Sequence, residues 1–276
     1  MQVNIDHLTV KGFGEEWSKF DQSALSEKEL RELFDQYFKI FPWQMLPEQA
    51  AGFDLGCGSG RWAKCVAPKV GLLHCIDASE AALVVAKRNL ADVPNCEFHL
   101  ASVDHLPLGD NSMDFGYALG VLHHVPDTAE GIRQCVKKLK PGAPFLLYLY
   151  YAFDNRPAWF RWLWCASDLI RKGISASPFA IRYLTTQAIA ALLYYPLARF
   201  SLVLETLGFN VDAVPLSAYR RRSFYTMRTD AFDRFGTRLE QRFTAEEIRH
   251  MMESAGLRRV VFSDSSPCWC ALGYKE

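Results

Sequence analysis

Gly52-Phe-Asp-Leu-Gly-Cys-Gly-Ser-Gly-Arg-Trp62 decides how this chain is read. A short apolar run carries an acidic residue, Asp54, and then meets glycine at alternate positions, Gly56, Gly58 and Gly60. An amphipathic stretch opens at Arg61. Such a run encodes a strand, a tight turn and a helix start. Glycine admits positive φ in the turn and lets a ligand lie against bare backbone. The N–H groups at the helix start would suit an anionic group. The expected helix runs from about Gly60 to Ala67 and stops at Pro68.

Working outward, the first strand covers residues 50–55, and a second at 72–76 ends in Asp77. An acidic residue at a strand end about twenty residues past a glycine turn suits the two hydroxyls of a ribose. The alternative is that Asp77 or Ser79 caps the helix that holds Ala82, Leu83 and Ala86. A third strand is expected at Cys96–Leu100 and a fourth at Phe115–Leu119. Asp127 starts a helix with Ile132, Cys135, Val136 and Leu139 on its buried face. The fifth strand, Ala143 to Tyr150, is almost wholly apolar, which implies a sheet covered by helices on both faces.

Composition sets limits on partners and setting. The chain has 276 residues, 50% of them apolar and 22% charged, with a formal net charge of zero. That balance gives no overall electrostatic reason to expect nucleic acid as a partner. Eight cysteines lie scattered through apolar runs, the pattern of reduced, buried thiols, and a cytoplasmic setting is expected. Cys268-Trp-Cys270 is a lone C-x-C opening the last expected strand, Cys268 to Gly273, and no metal site is expected there. The first apolar positions are interrupted by Asn4, Asp6 and Lys11, so no signal peptide is expected.

The glycines of the opening stretch depart from the G-x-G-x-x-G spacing of a dinucleotide site, and no Lys-Ser or Lys-Thr follows as in a P-loop. Asp54-Leu-Gly-Cys-Gly-Ser-Gly60 instead resembles motif I of the class I S-adenosylmethionine-dependent methyltransferases of the methyltransferase type 11 kind. Residues 101–115, with their Leu-Pro turn, Gly120-Val-Leu-His-His-Val-Pro-Asp127, and Arg242-Phe-Thr with the later Ala255-Gly-Leu257 carry the resemblance further. It covers about 50–150 and 242–274.

The resemblance implies an α/β, Rossmann-like class I methyltransferase fold: a seven-stranded, mainly parallel sheet whose last strand is antiparallel. It implies S-adenosyl-L-methionine as cofactor and S-adenosyl-L-homocysteine as product. The residues expected to bind it are Asp54, Gly56, Gly58, Gly60, Asp77, Ala78, Ser102, Val103, Asp104 and Leu119. Relatives place a carboxylate where this chain has Ser102, and Asp104 could take over its contact with the adenine amino group. Gly120 would leave room beside the methionine arm. The implied activity is methyl transfer to a small-molecule or lipid-like acceptor. Protein or nucleic-acid methylation, or cofactor binding without transfer, are the alternatives. A hydroxyl or amine acceptor needs a base, and His123 and His124 are the candidates near the fourth strand, with Asp230 as a further acidic group. Either histidine could instead be a buried structural imidazole.

The rest of the chain matches no motif. Residues 1–25 suggest an irregular arm whose Phe13, Trp17 and Phe20 pack on the core or form a lid, within an N-terminal region 1–49. Ser26 and Glu29 spell a capping box for the helix that follows. Between the core at 50–154 and the closing segment 242–276, residues 155–241 are an insertion, expected to be a largely helical cap. Trp159, Trp162 and Trp164 and the apolar stretch 181–207 make it a candidate to hold a bulky acceptor or touch a membrane surface. With no eighteen uninterrupted apolar residues, no transmembrane span is expected. Its charged segment 219–243, interleaved with Phe224, Met227, Phe232 and Phe235, is expected to pair some of its ions internally.

Overall fold

The computed structural model describes residues 4–153, 158–212, 214–264 and 269–276. The chain divides into two compact units, one of Met1–Asp21, Arg31–Arg156 and Leu239–Glu276, the other of Gln22–Leu30 and Pro157–Arg238.

The first unit is built on seven strands: β1 (Ala51–Leu55), β2 (Leu72–Asp77), β3 (Cys96–Leu100), β4 (Phe115–Leu119), β5 (Pro144–Tyr148), β6 (Leu257–Phe262) and β7 (Cys270–Lys275). They lie in the order β3-β2-β1-β4-β5-β7-β6. The first five pair in parallel, and β7 runs antiparallel to both β5 and β6. This is the Rossmann-like sheet that the resemblance implied. The chain reverses its direction of winding between β1 and β4, and in open parallel sheets that reversal opens a crevice at the strands' carboxyl ends.

Side chains alternate across this sheet. Phe53, Leu55, Ile76, Ala118, Phe145 and Leu147 belong to the core on one face. Leu73, Cys75, Phe115, Tyr117, Leu119 and Leu146 belong to the core on the other. Both faces are covered, so the strands read as continuous apolar runs. β1 and β4 interlock through size. Gly52 pairs with Phe115 and Phe53 with Gly116. A Cβ on Gly52 would lie 2.2 Å from the Phe115 ring, and one on Gly116 would lie 2.3 Å from the Phe53 ring.

The helices of this unit start on side-chain caps. Ser79 caps α4 (Glu80–Asn89) and Asp127 caps α5 (Thr128–Lys138). Thr244 and Glu247 form a reciprocal capping box at α10 (Ala245–Ser254). Each such cap contributes about 1 kcal/mol.

Three expectations are corrected here. The N-terminal arm is not irregular. It forms α1 (His7–Lys19), with Asp6 accepting from the Thr9 N–H at 2.7 Å. Gly12 and Gly14 lower helix propensity, but Gly14 has a packing reason. A Cβ there would stand 2.6 Å from Ser79 Oγ and 3.3 Å from the Ala81 Cβ, so the glycine lets α1 lie against the start of α4. The helix after the glycine turn is α3 (Ala63–Val66), only four residues long, followed by a 3₁₀ turn at Ala67–Lys69. A helix that short has little dipole, so the anion-binding reading of its N-terminus falls away. The last strand is shifted from the expected start at Cys268 to Cys270–Lys275, and Cys268 lies outside the described residues.

The second unit is helical: the first turn of α2 (Glu27–Tyr37), then α6 (Ala158–Ser175), α7 (Phe179–Ile189), α8 (Tyr195–Thr206) and α9 (Phe224–Gly236). A π-helical turn at Ala190–Tyr194 joins α7 to α8 without a break. Pro196 explains it: the ring donates no N–H and crowds the preceding turn, and the wider turn accommodates it. The core is small, with Ala190, Tyr194, Ala198, Met227, Ala231 and Phe235 buried together. Arginines complete it. Arg171 donates to the Thr237 carbonyl at 2.9 Å and pairs with Asp168 at 2.6 Å, and Arg182 donates to the Gly236 carbonyl at 3.1 Å. These guanidiniums satisfy the carbonyls left over at the end of α9. Arg228 joins α9 to α7 through Gln187 and the Tyr183 hydroxyl. Glu205 receives Arg220 and Arg221, each at 2.8 Å. Arg220 and Arg221 of the charged segment thus pair with a glutamate outside it, while Arg242 pairs with Glu240 inside it at 2.9 Å.

The unit also exposes apolar surface. Trp159, Trp162, Leu169 and Ile170 on α6 are exposed, as are Leu184, Leu192, Phe200 and Val203 on α7, the π turn and α8. The continuous helix Phe179–Thr206 is 28 residues long and contains an 18-residue window with a mean hydropathy of 1.4, enough to cross a membrane by length and composition. Counting uninterrupted apolar residues misses this, because Arg182 and Arg199 break the run without lowering the mean enough. Both arginines hydrogen-bond to backbone carbonyls within the unit.

Candidate functional site

The glycine turn sits at the carboxyl end of β1, held by the neighbouring strand. The N–H groups of Gly56 and Cys57 both donate to the Ile76 carbonyl, at 2.7 and 3.1 Å. Gly56, Gly58 and Gly60 have φ of +70°, +54° and +78°, the left-handed region that a side chain disfavours. Asp77, at the end of β2, accepts from Gly58 N–H at 2.9 Å with one carboxylate oxygen and from Ser79 N–H at 2.8 Å with the other. It thus ties the turn to the start of α4, while each oxygen keeps further acceptor capacity. Burial raises its carboxyl above the ordinary value, against the lowering effect of the Ser79 and Gly58 donors. Ser79, not Asp77, is the side-chain cap of α4.

Asp54 is the most perturbed acid of the site. It is 1% exposed, and among the described residues its Oδ2 has no hydrogen-bond partner, nor has the buried Tyr117 hydroxyl. Burial lifts its carboxyl to about 8. The Tyr117 hydroxyl and the Arg61 guanidinium act against that rise, and the nearby Asp77 adds to it. Such an acid is mostly protonated at pH 7. A cation brought beside it would favour the ionised form.

Across the switch point, β4 ends at Leu119 and the chain turns at Gly120, with φ of +78° and open space where a Cβ would stand. The Val121 side chain fills the place a Cβ on Gly56 would take, so the β1 and β4 turns abut. On the other side lie half-buried Ala78 and Ser102 and buried Val103, at the ends of β2 and β3. Asp104 follows, and its Oδ2 accepts the Asn4 backbone N–H at 2.5 Å. The Asn4 side chain exchanges two 2.7 Å hydrogen bonds with the backbone of Asp127. The N-terminal segment therefore already engages one oxygen of the acid expected to replace the missing carboxylate at Ser102.

α1 continues over this end of the sheet. The Trp17 ring lies 2.8 Å from the place of a Cβ on Gly58, and the Arg61 guanidinium stands 5.9 Å from that ring and 4.4 Å from Trp62.

The two histidines, adjacent in sequence, differ in environment. His124 Nδ1 lies 2.6 Å from the Leu239 carbonyl, so that nitrogen carries the hydrogen and donates it. Phe13 packs against the ring edge-on at 4.9 Å. His123 is fully buried, and neither ring nitrogen has a hydrogen-bond partner among the described residues. Its ring lies 3.9 Å from those of His124 and Tyr150. Burial holds it well below its ordinary pKa, assisted by His124 and Arg242. It is a neutral imidazole able to accept a hydrogen bond. Asp230 lies half-buried on α9 in the second unit.

Sequence reasoning missed Asn4, Tyr117, Tyr150 and Arg242, and it gave Trp17 no definite place. Trp17 alone carried a signal, as an aromatic in a segment rich in glycine and acid. The others acquire their places through contacts distant in sequence.

Comparison with known proteins agrees with this geometry. Residues 53–147 match the methyltransferase domain family of type 11. Phosphoethanolamine N-methyltransferase 2 of Caenorhabditis elegans is 32% identical over 100 residues, covering 35% of this chain and 23% of that protein. The ubiquinone biosynthesis O-methyltransferase of Hydrogenovibrio crunogenus is 33% identical over 105 residues, covering 37% of this chain and 42% of its own. The chain thus spans less than half the length of these curated relatives. Among solved structures, a methyltransferase of Thermotoga maritima aligns over 98% of this chain and 99% of its own, with a TM-score of 0.50 and 14% identity, a likeness of fold. Glycine turn, acidic strand ends and sheet order agree with that match, which over residues 53–147 makes this chain similar to the class I S-adenosylmethionine-dependent methyltransferases of type 11.

Proposed function

We propose that the protein transfers a methyl group from S-adenosylmethionine to a small-molecule or lipid-like acceptor. The observation that supports this most is the pairing of a glycine turn at positive φ with a buried Asp54, whose Oδ2 has no partner among the described residues, at the sheet's switch point. Bound there, the cofactor supplies a methyl carbon activated by a positive sulfur. Asp77 would receive the ribose hydroxyls on the acceptor capacity left by Gly58 and Ser79. Ser102, Val103 and Asp104 would hold the adenine, with Ala78 and Leu119 beside the adenosine. Asp54 would ionise against the cofactor's positive charge. Gly56, Gly58 and Gly60 would let it lie on backbone, and α1 with Trp17 would act as the lid.

His123 is the proposed base or hydrogen-bond acceptor for the acceptor's hydroxyl or amine. Its two unpartnered nitrogens and its neutrality support that role. His124, fixed through Nδ1, would orient it. The exposed Trp159, Trp162, Leu192 and Phe200 favour an acceptor that is large and partly apolar, met at a lipid surface. A screen with methyl-labelled S-adenosylmethionine against small-metabolite and lipid pools tests the proposal. Label should appear in an acceptor of one of these classes. Cofactor binding with no transfer to any pool would favour a non-catalytic relative, and transfer to protein or nucleic acid would overturn the acceptor class.

A further inference from the structure

β3 is the edge strand of the sheet, and it pairs in parallel with β2 so that His74 faces Glu97 and Ile76 faces His99. Because side chains alternate along each strand, this register puts His74, Glu97 and His99 on one face. Their functional atoms converge. His74 Nδ1 lies 3.0 Å from His99 Nε2 and 3.3 Å from Glu97 Oε2, and His99 Nε2 lies 3.9 Å from the same oxygen. The circle through three points at these separations has a radius of about 2.0 Å, which is the zinc–imidazole and zinc–carboxylate bond length. One point is therefore at coordination distance from all three atoms without any side chain moving.

We propose that His74, Glu97 and His99 bind one zinc ion or a divalent ion of similar preference. Two imidazoles and one carboxylate form a borderline ligand set suited to zinc. The ion would lie close to the plane of its ligands, leaving positions off that plane for water. Access is graded: His74 is buried, His99 half-buried and Glu97 exposed, so the ion reaches the cluster from the sheet edge. The three residues lie outside the glycine crevice, and the proposal stands independently of methyl transfer. An occupied site would cross-link the edge strand to β2 just before both strands reach Asp77 and Ser102.

The competing account is a hydrogen-bonded cluster with a proton where the ion would be. Metal titration separates the two. Chelator-stripped full-length protein is titrated with zinc chloride by calorimetry and with cobalt chloride by visible absorption, alongside Glu97→Gln and His99→Ala. The expected result is one ion per chain. Affinity should fall at least about tenfold in Glu97→Gln, where the side chain is exposed and folding is safe, and further in His99→Ala. The ring resonances of His74 and His99 in the unaltered protein should shift on zinc addition, which keeps the test valid even where a variant fails to fold. No stoichiometric binding would overturn the proposal. So would binding that survives both substitutions with unmoved His74 and His99 resonances, since it would locate the ion elsewhere.

Discussion

Replacing Asp54 by asparagine (Asp54→Asn) keeps the shape of a buried side chain and removes its proton equilibrium. In the unfolded chain an aspartate ionises near 3.9. In the folded protein burial lifts Asp54 to about 8. Between those values the native state holds a proton that the unfolded state has released, so raising the pH favours unfolding. Each unit of that interval is worth about 1.4 kcal/mol. From pH 4 to pH 8 this one group therefore removes up to about 5 kcal/mol of stability. The asparagine does not titrate. The variant should match the wild type near pH 4, apart from a constant offset for its amide. It should become more stable than the wild type by several kcal/mol at pH 8. Urea unfolding of both proteins, free of ligand, at half-unit steps from pH 5 to pH 8.5 measures the difference directly. Parallel stability curves across that range would show that Asp54 is ionised in the fold, and the reasoning about an unsatisfied acid would fail.

Other expectations follow from the same geometry. Asp77→Ala should weaken S-adenosylmethionine binding at least about tenfold, because charge-assisted hydrogen bonds are worth roughly 1.5–3 kcal/mol each; an unchanged dissociation constant by calorimetry would reduce Asp77 to a brace for the turn. His123→Gln should lower kcat about 10²–10⁴-fold with little change in cofactor affinity. Since burial keeps His123 neutral, wild-type kcat should not fall between pH 8 and pH 6 through this group, and a loss centred near 6.5 in a pH–rate profile would contradict its assignment. Gly116→Val would drive a side chain into the Phe53 ring, which stands 2.3 Å from the new Cβ, and should cost at least about 1–3 kcal/mol by thermal melting.

Much of this architecture was legible because the sheet is buried on both sides. Apolar runs ending at Leu55, Asp77 and Leu119, punctuated by glycines and caps, read as buried strands, and the resemblance supplied their parallel order. The turn's positive φ followed from the glycines themselves. α1 was hidden because Gly14, which weakens a helix locally, is demanded by the approach to Ser79 and Ala81. The length of α3 was misjudged because the turn continues past Gly60 to Trp62. His123 and His124 are equivalent in sequence, and only Leu239, more than a hundred residues away, separates the anchored ring from the orphan. The His74, Glu97 and His99 cluster depends on strand register, which spacing along one strand does not reveal. The helix Phe179–Thr206 shows the same limit from composition: its arginines interrupt the apolar run, yet they bond inward.

The central claim is that the glycine crevice takes S-adenosylmethionine. A calorimetric titration near pH 7, repeated in buffers of different ionisation enthalpy with a nicotinamide dinucleotide as comparison, tests it most directly. The expected result is saturable binding of S-adenosylmethionine at one site per chain, release of close to one proton as Asp54 ionises against the cofactor's charge, and no comparable binding of the dinucleotide. Tighter binding of the dinucleotide, or no binding of S-adenosylmethionine by folded protein, would contradict it.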